Sequence, residues 1–95
     1  MVRYYFDTSA LVRVYHAEPG SAKVDALVRE PGSTHWLSWL TVLEAQSALA
    51  LKVRTGEITP HDFTLLRKRL KTDIAQRRFL VVRVLRRQYD RAERL

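Results

Sequence analysis

The sequence predicts a small α/β domain built on a short sheet of parallel strands. Three segments, at residues 2–6, 34–38 and 79–85, are short runs with the apolar content or flanking turn residues that are typical of strands. Segments with helical spacing lie between and after them. Because strands that alternate with helices pair in parallel through right-handed crossovers, the order strand, helix, helix, strand, helix, helix, strand, helix indicates a layered fold.

The first two helices follow from apolar spacing and turn residues. The helix after Asp7 carries an apolar face of Ala10, Leu11, Val14 and Tyr15. A turn at residues 18–21 ends it, and Ser21 is placed to cap the second helix. The apolar positions of that second helix also share one face: Val24, Leu27 and Val28.

The third helix is the longest apolar one. We expect it to open at Thr41, soon after the second strand, and to stop at Gly56. Two tryptophans, Trp36 and Trp39, blur the boundary between that strand and the helix. The predicted core residues of the helix are Leu43, Ala48, Leu49, Leu51 and Val53.

The fourth helix has a favourable start and two contrasting sides. Thr59 is placed to cap it, Pro60 occupies its first position and Asp62 lies near the positive end of its dipole. An apolar stripe runs along one side: Phe63, Leu66, Leu70 and Ile74. The opposite side is basic: Arg67, Lys68, Arg69 and Lys71. This pattern predicts an amphipathic helix with its apolar side on the core.

The end of the chain is expected to be incomplete. The strand at residues 79–85 is followed by a helical segment at residues 86–95 that ends without a glycine, proline or other stop signal. Three parallel strands also make a small sheet, and such sheets need their faces and edges covered. We therefore expect a single domain over residues 1–95 that is truncated at its C-terminus or completed by a partner chain.

Composition favours a cytoplasmic protein and is compatible with an anionic partner. The 95 residues include no cysteine, no apolar run long enough to cross a bilayer and no signal-peptide pattern. The formal net charge is +7, and residues 51–95 hold thirteen basic and five acidic side chains. Such a basic half attracts nucleic-acid phosphates. A solvated basic helix face would explain the same charge, and both interpretations stay open.

Two carboxylates, Asp7 and Glu44, each lie beyond a predicted strand at the start of a helix. Because parallel strands end at the same edge of a sheet, we expect both at one rim, where ligands bind. Such a pair would suit Mg²⁺, which uses a few carboxylates, keeps several waters and activates water for attack on phosphate. Structural roles are equally open: Asp7 as the cap of the first helix, and Glu44 bonded back to Thr41 in a capping box.

Several motifs around these carboxylates follow one another in a recognisable order. D-T-S-A-L occupies residues 7–11, and S-x-x-T-x-x-E occupies residues 38–44. Further matches in order and spacing are Tyr5, Phe6, Tyr15, residues 18–21 and residues 56–58. Together they resemble the N-terminal part of a PIN domain, in particular the VapC-type toxins, and the resemblance covers essentially the whole chain.

This resemblance implies a parallel α/β sandwich of three layers, and cleavage of RNA that depends on Mg²⁺ or Mn²⁺. By position, Asp7 and Glu44 would be the metal ligands, and Ser9 would lie close to the metal and its waters. The resemblance also implies a VapB-type antitoxin that blocks the site, and a homodimer.

The sequence departs from the family in one respect. PIN domains continue into a segment with one or two further metal-binding aspartates, which is absent here. We therefore expect a toxin-type ribonuclease that holds its cation loosely, which leaves open whether this chain cleaves RNA on its own. The alternative is a non-catalytic PIN remnant that binds nucleic acid or a partner chain, in which Glu44 is only a cap and Asp7 only a turn residue.

Overall fold

The computed structural model describes residues 2–17 and 21–83, and it confirms the predicted α/β class. The elements in chain order are β1 (Val2–Tyr5), α1 (Thr8–Tyr15), α2 (Ser21–Val28), β2 (Ser33–Ser38), α3 (Trp39–Arg54), α4 (Pro60–Ala75) and β3 (Leu80–Val82). The predicted turn at residues 18–20, the end of the third strand beyond residue 83 and the helix at residues 86–95 lie outside the described residues. Within the described ranges, no helix is long and apolar enough to cross a membrane.

The three strands form one parallel sheet in the order β1, β2, β3, with β2 in the centre. Tyr5 lies opposite Trp36, and Trp36 lies opposite Leu80. Beyond the last paired residue of β1, the Phe6 amide still donates to the Trp36 carbonyl at 3.0 Å. This register sets the start of α1 beside the end of β2, so that α1 and α3 begin at the same rim of the sheet.

A single core lies between the sheet and the helices. Four leucines are fully buried, with exposed fractions of 0–1%: Leu11, Leu37, Leu49 and Leu70. Burial of a leucine side chain stabilises a fold by about 1.5–3 kcal/mol, so these four residues contribute strongly to the core. The rings of Phe6, which follows β1, and Phe79, which precedes β3, pack edge to face with centroids 5.4 Å apart, so this contact links the two edge strands of the described sheet.

Helix α3 begins earlier than the predicted Thr41. Its N-cap is Ser38, whose side chain accepts from the Thr41 amide at 3.1 Å, and Trp39 and Leu40 form the first turn. The prediction was wrong because a hydroxyl three residues before Thr41 serves as the cap, while the apolar Trp-Leu pair after it resembles the end of a strand. The predicted end is correct, since Gly56 follows the C-cap with φ at 79°.

The core side of α3 is also only partly as predicted. Leu49 is buried, and Ala48 and Val53 pack against the core, as expected. Leu43 and Leu51 are 61% and 51% exposed, which contradicts their predicted core positions. Helix α3 packs mainly against α1, and its buried side contains Val42 and Ala45 instead. On a helix that is apolar on most sides, hydrophobicity does not determine which side is buried.

Helix α4 matches its prediction closely. Thr59 caps it, Pro60 is its first residue, and Asp62 completes a reciprocal capping box with Thr59. Leu70 is buried and the other stripe residues, Phe63, Leu66 and Ile74, pack against the core. The basic residues of the opposite side are exposed: Arg67, Lys68, Arg69 and Lys71.

Candidate functional site

Asp7 caps the first helix, as one of the two sequence interpretations predicted. Its backbone is extended, and its Oδ1 accepts from the Ala10 amide at 2.8 Å. The Ser9 hydroxyl donates to the same oxygen at 3.0 Å. Among the described residues, the other carboxylate oxygen, Oδ2, takes part in no hydrogen bond. The capping role therefore uses one oxygen of Asp7 and leaves the second for a ligand.

Glu44 does not form the capping box with Thr41 that was one of its two interpretations. Its Oε1 accepts from the hydroxyl of Thr8 at 3.0 Å. This alternative does not hold because α3 starts at Trp39, so that Thr41 already lies inside the first turn and its amide is bonded to Ser38. One turn further along, the exposed Glu44 side chain reaches the N-terminus of α1 instead.

Thr8 is the residue that joins the two predicted site residues, and the sequence interpretation did not assign it this role. It follows Asp7 directly and holds Glu44, while Ser9 holds Asp7. Each of the two carboxylates therefore accepts one hydroxyl hydrogen bond, Glu44 from Thr8 and Asp7 from Ser9. The sequence feature that could have indicated this role is the Thr8-Ser9 pair immediately after Asp7, the acid that ends the first strand. Hydroxyls at helix starts are common enough that this pair alone does not indicate a site.

The donor set at this rim suits a hydrated hard cation better than an all-protein cage. Mg²⁺ is commonly bound through one or two carboxylates and keeps several waters. Asp7 Oδ2 and Glu44 Oε2 would supply two such ligands. Across residues 2–17 and 21–83, no group of three or more His, Asp or Glu side chains is arranged to hold a metal ion.

Comparison with known proteins leaves the family of the chain open. No family model matches it, and no curated protein or solved structure matches it either. The PIN-like interpretation therefore rests on the motif residues and on the arrangement at this rim.

A second polar cluster joins α1 to α4 at the other end of α1. The Tyr15 hydroxyl donates to Asp73 Oδ2 at 2.6 Å, and Arg78 donates to the other oxygen of Asp73 at 2.6 Å. The Arg69 guanidinium lies 5.6 Å from the centre of the Tyr15 ring. Burial, followed by the bond to Asp73, raises the pKa of Tyr15 far above its usual value. This cluster fixes the basic helix against α1.

The cluster around Tyr15 was not predicted. Tyr15 was assigned to the apolar face of the first helix, which its 7% exposure supports. Its phenol bond to Asp73 spans 58 positions in the sequence. A contact over such a distance has no local signature, because neither helical spacing nor capping rules concern pairs so far apart.

Proposed function

We propose that this chain is a metal-dependent RNA endonuclease of the toxin type with a PIN-like, three-layer fold. The observation that carries the proposal is the Thr8 bond to Glu44, at 3.0 Å, beside the Ser9 bond to Asp7. Two carboxylates at one rim of a parallel sheet, each with one oxygen that makes no hydrogen bond among the described residues, suit a cation that acts on phosphate.

In this proposal Asp7 and Glu44 hold Mg²⁺ or Mn²⁺, which supplies a water nucleophile at neutral pH and positive charge beside the attacked phosphate. The chain's own residues position the parts. Ser9 donates to Asp7 and keeps oxygen lone pairs that can accept from a water beside that carboxylate. Thr8 holds the Glu44 side chain against the start of α1.

Basic residues would hold the RNA backbone. The exposed side of α4 carries four cationic side chains, Arg67, Lys68, Arg69 and Lys71, and the whole sequence has a net charge of +7. Cationic side chains attract phosphates independently of base sequence and release counterions when they bind. RNA affinity should therefore fall steeply as the salt concentration rises.

The proposed protein partners are a second copy of the chain and a VapB-type antitoxin, in the cytoplasm. Apolar side chains are exposed along α3: Trp39, Leu40, Leu43 and Leu51. Exposed apolar patches of this kind commonly mark interaction surfaces. Sedimentation at micromolar concentration should detect a dimer of the wild type that Leu43→Glu dissociates. A wild type that is already monomeric, or a dimer that persists in Leu43→Glu, would exclude this contact.

The alternative function is a non-catalytic module that binds nucleic acid or a protein. It is favoured by the structural use of both acids, since Asp7 caps α1 and Glu44 joins α3 to α1 through Thr8. It is also favoured by the lack of a third acidic or histidine ligand beside them in the described part of the chain.

Cleavage of a single-stranded RNA by the 95-residue chain separates the two functions. We expect cleavage with Mg²⁺ or Mn²⁺, its loss in EDTA and its loss in Asp7→Asn. Asp25→Asn is the matched control, because Asp25 is an exposed carboxylate on α2. Cleavage that survives in Asp7→Asn would exclude the proposed site, and its absence in the wild type would favour the binding module.

A further inference from the structure

A pocket of about 400 Å³ opens between α1 and α3, directly beside the candidate site. Its walls are apolar and are formed by Val12 and Ala48, with Leu51 on the solvent side. Thr8 and Ser9 line one end, and these are the two residues whose hydroxyls bond Glu44 and Asp7. Whatever fills this pocket therefore lies next to the groups that are proposed to act on phosphate.

The other end of the pocket presents a donor and an acceptor side by side. The Lys52 ammonium lies 3.1 Å from Glu57 Oε2, and the two side chains are 14% and 54% exposed. The backbone fixes this pair, because the Lys52 carbonyl accepts from the Glu57 amide at 2.9 Å. Gly56 makes the turn between them, with φ at 79°, a conformation that favours glycine. The polar end is therefore held in place before any ligand binds.

We propose that this pocket holds one unpaired guanine base of a single-stranded RNA. Sequence-specific recognition of RNA commonly targets bases in single strands, where the faces contact side chains and the Watson–Crick edge is read by hydrogen bonds. Here the faces of the base would lie against Val12 and Leu51. The inference rests on the proposed ribonuclease function, since it places the base next to the phosphate that the carboxylates serve.

The choice of guanine follows from the hydrogen-bonding groups at the polar end. A carboxylate accepts two parallel hydrogen bonds, and guanine is the base with two adjacent donors, N1–H and the N2 amino group, on its Watson–Crick edge. Guanine O6 lies beside them as an acceptor for a cationic donor. Glu57 and Lys52 supply this combination. Uracil has a single N–H between two carbonyls and so leaves one carboxylate oxygen without a donor.

The test is a titration of the ¹⁵N-labelled 95-residue chain with guanosine 5′-monophosphate and with uridine 5′-monophosphate, in EDTA. We expect the guanine nucleotide to bind about tenfold more tightly, the scale of one good bidentate contact, and to shift the amides of Val12, Leu51 and Glu57. Glu57→Gln should abolish the preference and leave uridine binding unchanged. Asp25→Asn, which removes one exposed negative charge on α2, should keep the preference.

Equal binding of the two nucleotides, or shifts confined to residues outside the pocket, would overturn the inference. Because binding is measured without metal, the result does not depend on cleavage. A wild-type chain that binds guanine in this pocket but cleaves no RNA would exclude the nuclease function and support the guanine site. Cleavage of RNAs with a single guanine at a rate that does not depend on the position of that guanine would support the nuclease and exclude the guanine site.

Discussion

The Thr8 hydroxyl donates to Glu44 Oε1 at 3.0 Å and so joins the start of α1 to the third helix across 36 positions of sequence. Thr8 stands next to Asp7, whose own side chain caps α1. One hydrogen bond thus relates the two acids that the sequence motifs single out. Removing that bond, or the charge of either acid, has consequences for stability and cation binding that can be measured without any substrate.

Replacing Thr8 by valine should weaken both the fold and cation binding. Thr8→Val keeps the shape of the side chain but removes the donor to Glu44, and we expect a loss of about 0.5–1.5 kcal/mol in the free energy of unfolding. Loss of a residue that orients a metal ligand should lower Mn²⁺ affinity about tenfold in isothermal titration. Thr72→Val, at an exposed position of α4, is the matched control. Unchanged Mn²⁺ affinity would show that Thr8 does not position a metal ligand.

Two substitutions of Asp7 separate its capping role from its charge. Asp7→Ala removes the acceptor for the Ala10 amide and should lower the unfolding free energy by about 1 kcal/mol. That loss corresponds to about 4–8 °C in a domain of this size. Asp7→Asn keeps a good cap and relieves repulsion from Glu44, so it should raise the melting temperature in EDTA.

The Asp7→Asn variant also tests the proposed metal site. Mn²⁺ should raise the melting temperature of the wild type, because a ligand that binds only the folded state stabilises it, and should leave Asp7→Asn unchanged. Differential scanning fluorimetry with and without Mn²⁺ measures both effects. Equal responses of the wild type and Asp7→Asn to Mn²⁺ would exclude Asp7 as a ligand.

The phenol of Tyr15 should stabilise the contact between α1 and α4. Tyr15→Phe removes the donor to the Asp73 carboxylate, and we expect a loss of about 1–2 kcal/mol, measured by urea unfolding. Tyr5→Phe is the control, since the Tyr5 hydroxyl makes no hydrogen bond among the described residues. A loss no larger than that of the control would show that the bond to Asp73 adds little.

The raised pKa of Tyr15 also predicts the alkaline behaviour of the protein. The folded state holds the phenol proton more tightly than the unfolded state does, chiefly because the group is buried. Its contribution to stability is therefore complete below about pH 10, the usual value for tyrosine, and is lost as the pH rises beyond that value. Melting temperatures from pH 8 to 11 should fall more steeply in the wild type than in Tyr15→Phe.

The capping box of α4 should show the opposite dependence, at acid pH. The Thr59 amide donates to Asp62 at 3.0 Å, and this bond, with that of the Thr59 side chain, lowers the pKa of Asp62. The stabilisation is therefore present above the usual aspartate pKa of about 4 and is lost as the pH falls below it. Asp62→Ala should lower the melting temperature at pH 7 and differ less from the wild type at pH 3. Asp25→Ala, an exposed carboxylate on α2, is the control.

Local rules predicted those parts of the fold whose causes are local. The start of α4 was predicted because Thr59, Pro60 and Asp62 are near neighbours that satisfy the first turn of the helix among themselves. The start of α3 was placed three residues late because two hydroxyls, Ser38 and Thr41, both have the chemistry of a cap. Only the helix geometry shows that Ser38 is the cap, since its hydroxyl accepts a hydrogen bond from the Thr41 amide in the first turn.

The candidate site and its surroundings likewise contain features that the sequence predicts and features that depend on helix packing. Residue types and spacing along the chain were enough to predict a parallel α/β domain, the basic side of α4 and, as one of two alternatives, the cap at Asp7. The partner of Glu44, the bond from Tyr15 to Asp73 and the exposure of Leu43 and Leu51 depended on how the helices pack. The physical reason is that capping and helical spacing act within a few residues of one chain segment. Contacts between helices depend on the sheet register and on the side of each helix that the core buries.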